Sequence, residues 1–213
     1  RKRSNKKLYK NLICDEQFKF VEPEADHWAV ICHENTHSLG PQSHNSLGKY
    51  SAILEEFKAD MGMYAFLDEF VAEGYFSEHQ AKQIMVTSLS KSFAKGKPDI
   101  KQAHRVRSVM ICNRLISEKA ITFDEDGRMR FDFEKVKKTT KTMMAEVVRL
   151  QIDGDVSKAG EYVSKWFVWT DAIEAVAEII KKHSKMLNGY LITPLADEFL
   201  KPDFEKRVDE IVK

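Results

Sequence analysis

The chain has 213 residues, 43% of them hydrophobic and 31% charged, with a formal net charge of +1. That is an ordinary composition for a soluble globular protein long enough to bury a sizeable core, and its charge balance gives no global pull towards nucleic acid or a membrane. No stretch approaches the ~18 continuous apolar residues of a membrane span, and no secretory signal is visible. Cys14, Cys32 and Cys112 are too few and too scattered for a disulfide framework or a Cys-rich zinc site, so a reducing, cytoplasmic setting is expected.

In chain order, Arg1-Lys2-Arg3-Ser4-Asn5-Lys6-Lys7 reads as a solvated basic start. Residues 1–22 are set apart as a basic N-terminal segment, ahead of a mainly α domain over 23–213. The chain does not begin with Met, and an upstream region is expected. Pro23 suits a first helical turn, with Glu22, Glu24 and Asp26 near its positive end. That helix runs through Trp28-Ala29-Val30-Ile31-Cys32 and should stop at Gly40-Pro41. After a polar loop from Gln42 to Lys49, a second helix covers Tyr50 to Ala72, with Ile53, Phe57, Met61 and Tyr64 at core spacing.

Ser77 reads as the N-cap of a third helix ending near Phe93, and Lys95-Gly96-Lys97-Pro98 breaks the chain. The next helix spans Asp99 to Glu118 and carries His104. From about residue 120 to 133 the period changes to alternation around Asp126-Gly127, a β-hairpin signal. Helices resume from Glu134 to Gln151, break at Asp153-Gly154-Asp155, and continue through Tyr162 to Trp169 and Asp171 to Lys182. A further helix is expected from Leu195. Asp124-Glu125-Asp126 and Asp153-Gly154-Asp155 lack the ligand series of a calcium-binding EF-hand and read as turns. Trp166 and Trp169 read as core.

The chemistry is concentrated in His33-Glu34-Asn35-Thr36-His37. Two imidazoles four residues apart stand on one helical face and can grip one ion, while Glu34 lies off that line, placed to act as general base on a metal-bound water. Catalytic zinc sites usually add a third protein ligand, and thermolysin-type metalloproteases take a Glu from a second helix roughly twenty residues beyond the second His. Glu56, in Leu54-Glu55-Glu56-Phe57-Lys58-Ala59-Asp60, fits that distance. Asp60, one turn further on, could accept the outer ring N–H of a ligating His. Taken alone, the same segment would read as a solvated helix face with a salt bridge or two. His27, His79 and His183 read as surface or packing residues; His44 lies in the loop between the two motifs, where it could edge the cleft.

His33-Glu34-Asn35-Thr36-His37-Ser38-Leu39-Gly40-Pro41 followed by Leu54-Glu55-Glu56-Phe57-Lys58-Ala59-Asp60 resembles the dipeptidyl peptidase III family of zinc metallopeptidases. Better-known members carry H-E-x-x-G-H and then E-E-C-R-A-E. The five-residue form ending in Gly-Pro looks like certain bacterial relatives, including some fused to a Nudix domain. Gln102-Ala103-His104, the hairpin, Gly154-Asp155-Val156 and Thr170-Asp171-Ala172 follow in the family's order. The resemblance implies a helical catalytic lobe with a small hairpin, binding Zn2+ through His33, His37 and Glu56. It implies Glu34 as general base, Glu55 and Asp60 as partners of the ligating imidazoles, and His104 as a donor to the substrate carbonyl. Arg107, one turn beyond His104, is not at the family arginine's offset.

Three departures matter. The zinc motif is one residue shorter, Asp60 stands where the family has Glu, and the family's substrate lobe and active-site Tyr lie upstream of the zinc motif. The expected partner is therefore a peptide, with an upstream lobe or partner chain completing the cleft. Two rivals share much of this reading: a thermolysin-like endopeptidase, and a non-catalytic zinc-binding module.

Overall fold

Between Ser51 and Ala65 apolar residues recur on every turn around four charged ones, Glu55, Glu56, Lys58 and Asp60, a pattern that can bury most of a helix. In the computed structural model, which describes residues 8–41, 47–93 and 96–184, that helix sits at the centre. Ile53, Leu54, Phe57 and every residue from Lys58 to Ala65 are buried along it. Burying a large apolar side chain contributes about 1.5–3 kcal/mol relative to leaving it exposed, so this helix is the main organiser of the core. We label it α2; α1 is Ala25–His37, α3 is Leu67–Ala72, α4 is Glu78–Ser92 and α5 is Ala103–Ser117. A two-stranded antiparallel sheet follows, β1 (Ile121–Phe123) and β2 (Met129–Phe131), then α6 (Phe133–Asp153), α7 (Val156–Trp166) and α8 (Asp171–Ser184).

The architecture is therefore mainly α with one small hairpin. Around α2 pack α1, α5 and α6, which bring the residues of the zinc-like motifs together. At Gly62 α1 lies against α2 so tightly that Thr36 fills the space a side chain would need. Helix ends follow local chemistry. Ser77 and Gln80 form a reciprocal capping box at the start of α4, while Asp132 and Asp155 cap α6 and α7 through their side chains. In the hairpin, Ile121 pairs with Phe131 and Phe123 with Met129.

Several boundaries differ from the sequence reading. The second helix is interrupted at Phe66 (φ −102°, ψ 11°), giving α2 and α3 in place of one helix to Ala72. The fifth starts at Ala103 and not at Asp99, because Asp99 and Gln102 bond to nearby backbone N–H groups and make a turn of residues 99–102. Helix α7 ends at Trp166, because Asn113 of α5 donates its side-chain amide to the carbonyls of Trp166 and Val168.

Residues 8–22, set apart in the sequence as a basic segment, pack into the common core. Tyr9, Leu12, Ile13 and Cys14 are buried, Ile13 bridges to Met129, and the Gln17 side chain bonds both the N–H and the carbonyl of Phe131. A boundary at residue 22 therefore does not divide the packing. Arg1 to Lys7, His44 and the segment from Leu195 lie outside the described residues. Among the described residues no helix is long and apolar enough to cross a membrane.

Candidate metal centre

Helical spacing puts His33 and His37 on one side of α1, and the packing of α2 against α1 brings Glu55, Glu56 and Asp60 opposite them. Each imidazole uses its outer nitrogen on a carboxylate. His33 Nδ1 lies 2.7 Å from Asp60 Oδ1, and His37 Nδ1 lies 2.9 Å from Glu55 Oε1. If both Nδ1 atoms donate, both Nε2 atoms carry lone pairs. Those two Nε2 atoms face each other at 3.2 Å, and Glu56 Oε2 stands 3.4 Å from His33 Nε2.

Such a cluster of acceptors is poorly matched to itself and well matched to a cation. One atom from each of His33, His37 and Glu56 can be chosen so that all lie within 4.8 Å of one another, and no other such group of three occurs among the described residues. Nitrogen and oxygen ligands about 2.0–2.1 Å from a tetrahedral ion stand about 3.3 Å apart, close to the spacings seen here. Glu56 Oε2 supplies an independent test of fit. It is buried, and although His104 Nδ1 approaches to 3.0 Å, neither imidazole aims an N–H along a hydrogen-bond direction at it. An orphaned buried carboxylate oxygen beside two imidazole lone pairs is an arrangement that a cation would satisfy. The residues present fit a divalent ion.

The surroundings carry a matched set of charges. Asp60 meets Arg107 of α5 through Oδ2 while Oδ1 serves His33, so the carboxylate is held from two sides. Arg107 Nε also lies 3.9 Å from Glu56 Oε2; burial lowers the guanidinium's pKa and the Glu56 charge opposes that. Burial alone would raise Glu55, yet hydrogen bonds from His37, Lys58 and Gln151 outweigh it and keep that group low. Glu34 projects from the exposed side of α1 into a cavity of about 290 Å³ lined also by His33, Met63, Tyr64, His104 and Arg107. His104, at the first turn of α5, is largely exposed (69%) at the mouth of this group.

His33, His37, Glu56, Glu55, Asp60 and His104 thus meet in one cluster, and Glu34 shares a cavity with His33, Asp60 and His104. The reading of Glu55 to Asp60 as a solvated helix face fails: Lys58 is fully buried and Asp60 is 4% exposed. Sequence reasoning missed Lys58 and Gln151. Lys58 was visible one turn after Glu55; Gln151 carried no local signal, because it arrives from α6. Cys14, Cys32 and Cys112 are free and buried.

The fold matches that of solved dipeptidyl peptidase III structures. Against the enzyme from Caldithrix abyssi the TM-score is 0.75 at 24% identity, covering 83% of this chain and 36% of that one. Against dipeptidyl-peptidase III from Corallococcus sp. strain EGB it is also 0.75, at 23% identity, covering 83% and 35%. The chain therefore has a dipeptidyl peptidase III-like fold over about a third of those proteins' length. In sequence it is similar to Nudix hydrolase 3 of Arabidopsis thaliana, 24% identical over 200 residues, which is 88% of this chain and 26% of that protein. No family model matches the chain.

Proposed function

We propose that this chain carries the zinc site and the acid–base groups of a peptidase, hydrolysing peptide bonds in the dipeptidyl peptidase manner. The observation that carries this reading is the convergence of His33 Nε2, His37 Nε2 and Glu56 Oε2, with a carboxylate behind each ring. Two imidazoles and one carboxylate, with room for a further ligand, form a donor set that favours zinc and suits catalysis. When bound, zinc would polarise the scissile carbonyl and acidify a water.

Glu34 follows His33 on α1, so its carboxylate borders the centre without joining it. It is the group to take a proton from the attacking water and return it to the departing amine. His104 turns Nδ1 towards Glu56, which leaves Nε2 for the substrate. If Nδ1 keeps its proton, only the imidazolium bears one on Nε2, so the ring would stabilise the developing oxyanion as a cation. Asp60 and Glu55 hold the two ligating rings in one tautomer. A dipeptidyl peptidase must also grip the substrate's N-terminus, and an upstream lobe or partner chain would complete the cleft for that purpose. Three free, buried cysteines support a reducing, cytoplasmic setting.

Elemental analysis joined to hydrolysis of a mixed peptide library, with wild type compared with Glu34→Gln, tests the reading. One zinc per chain and Glu34-dependent release of N-terminal dipeptides is the expected result. Internal cuts would replace it with a thermolysin-like endopeptidase. Zinc without turnover on any peptide would leave a binding module, and failure to hold zinc after reconstitution would overturn the central claim.

A further inference from the structure

Lys58 is the most completely buried charged side chain among the described residues, with none of its surface exposed. Taking an ammonium out of water is costly unless it is paired and hydrogen-bonded, so its partners should explain why it is there. Its Nζ donates to the carbonyl of Leu39 at 2.6 Å, two residues past the end of α1, and lies 2.9 Å from Glu55 Oε1. A cation just past a helix C-terminus is favoured by the helix dipole, and here it also satisfies the Leu39 carbonyl of the chain leaving the helix. One ammonium therefore ties the end of the helix bearing His33 and His37 to the helix bearing Glu55 and Glu56.

Gln151 completes the arrangement from α6. Its amide Nε2 donates to Glu55 Oε2 at 2.8 Å, so the two carboxylate oxygens are held by different elements while Oε1 faces His37. The amide orientation follows from chemistry, since the reverse would set its oxygen against a carboxylate. Gln151 is itself only 8% exposed, and its Oε1 has no hydrogen-bond partner among the described residues. That cost is tolerated where Nε2 is needed.

We propose that Lys58 and Gln151 are positioning residues of the metal centre: they fix Glu55 beneath His37 and pin the end of α1 to α2, and thereby set how tightly the ion is held. This rests on the metal-site reading above. Neither residue touches the ion's position; Gln151 acts through Glu55, and Lys58 acts through both Glu55 and the Leu39 carbonyl. Outer partners of ligating side chains typically change metal affinity by about 10–100-fold, and losses of that order are expected here.

The test is zinc affinity by chelator competition for wild type, Lys58→Met, Gln151→Leu, Glu55→Gln and the two double variants that combine Glu55→Gln with either change. Val163→Ala, in the core of α7 and away from the centre, serves as a destabilised control. Expected are about 10–100-fold weaker binding for each single variant at the centre, little further loss in the Gln151 double, a partial further loss in the Lys58 double from its bond to the Leu39 carbonyl, and wild-type affinity for the control. The cobalt-loaded single variants should also show an altered visible absorption spectrum, which loss of stability elsewhere would not produce. Folded Lys58→Met and Gln151→Leu proteins with wild-type affinity would overturn the proposal, as would losses that add fully in the double of Gln151→Leu with Glu55→Gln. Should Lys58→Met fail to fold, Gln151→Leu and its double decide by the same criteria. A wild-type chain that binds no zinc would instead overturn the site reading, and this proposal with it.

Discussion

Gly62 of α2 and Thr36 of α1 set the separation of the two helices that build the centre. A methyl group added at Gly62 would overlap Thr36 Cγ2 and Oγ1 and lie 2.9 Å from its Cβ. Thr36 sits between His33 and His37, and Gly62 lies two residues beyond Asp60, so the contact is made where ligand spacing is decided. Gly62→Ala should cost about 1–3 kcal/mol through overpacking and weaken zinc binding, because α1 must move off α2. Adding Thr36→Ala should recover part of both, because it removes Cγ2 and Oγ1 but leaves Cβ 2.9 Å from the added methyl. Denaturant midpoints and zinc titrations of the single and double variants check this; additive losses in the double would sink the steric account.

Asp60 has two separable tasks, one oxygen for His33 and one for Arg107. Asp60→Ala leaves a largely buried guanidinium without that carboxylate, and breaking a buried pair from one side costs about 3–5 kcal/mol. Removing both partners in Asp60→Ala with Arg107→Met should restore much of the stability. It should not restore zinc affinity, because His33 Nδ1 still lacks its acceptor. The pair of measurements separates the roles: recovery of affinity together with stability would show that Asp60 matters only for folding.

The parts of this fold that could be read from sequence are those set by neighbours in the chain. His33 and His37 are one helical turn apart by arithmetic, and the capping box at Ser77 and Gln80 announces its helix in four residues. The hairpin announces itself by alternation around Asp126-Gly127. What was hidden depends on residues far apart. Nothing in the apolar run around Phe66 marks a break, and the end of α7 is dictated by Asn113, 53 residues before Trp166. The same holds within the centre: Glu55 invited a surface salt bridge, and only the arrival of Gln151, 96 residues later, makes it a buried junction. Tyr9 and Ile13 were overshadowed by the basic residues ahead of them.

Acid sensitivity should have a component remote from the metal centre. Asp124 accepts hydrogen bonds from the backbone N–H groups of Asp126 and Arg128 and from the Arg128 guanidinium. Burial works the other way, but these bonds outweigh it and hold the carboxyl below its ordinary value of 3.8. A depressed carboxylate contributes stability that is fully present above the unfolded pKa and is lost as pH falls through the folded one. Wild-type stability should therefore include a contribution that disappears below about pH 3.8, and Asp124→Asn should lack it. Urea midpoints at pH 7 and pH 3 on the metal-free proteins measure this. The drop between the two pH values should be smaller in Asp124→Asn, and an equal drop would remove Asp124 from the account.

His104 offers the sharpest separation of chemistry from assembly. Its ring is mostly exposed and approaches Glu56 through Nδ1, so it could serve the substrate or merely steady a ligand. On the catalytic account, His104→Ala keeps zinc at close to wild-type affinity and lowers kcat by about 100- to 1,000-fold, the usual cost of one oxyanion donor. KM should change far less, since the donor acts mainly on charge that develops in the transition state. On the supporting account, zinc affinity falls and turnover is recovered when excess zinc refills the site. Steady-state kinetics at saturating zinc, beside a zinc titration of the same protein, distinguish the two. Full recovery of kcat at saturating zinc would make His104 a positioning residue for Glu56 and leave the oxyanion to another group.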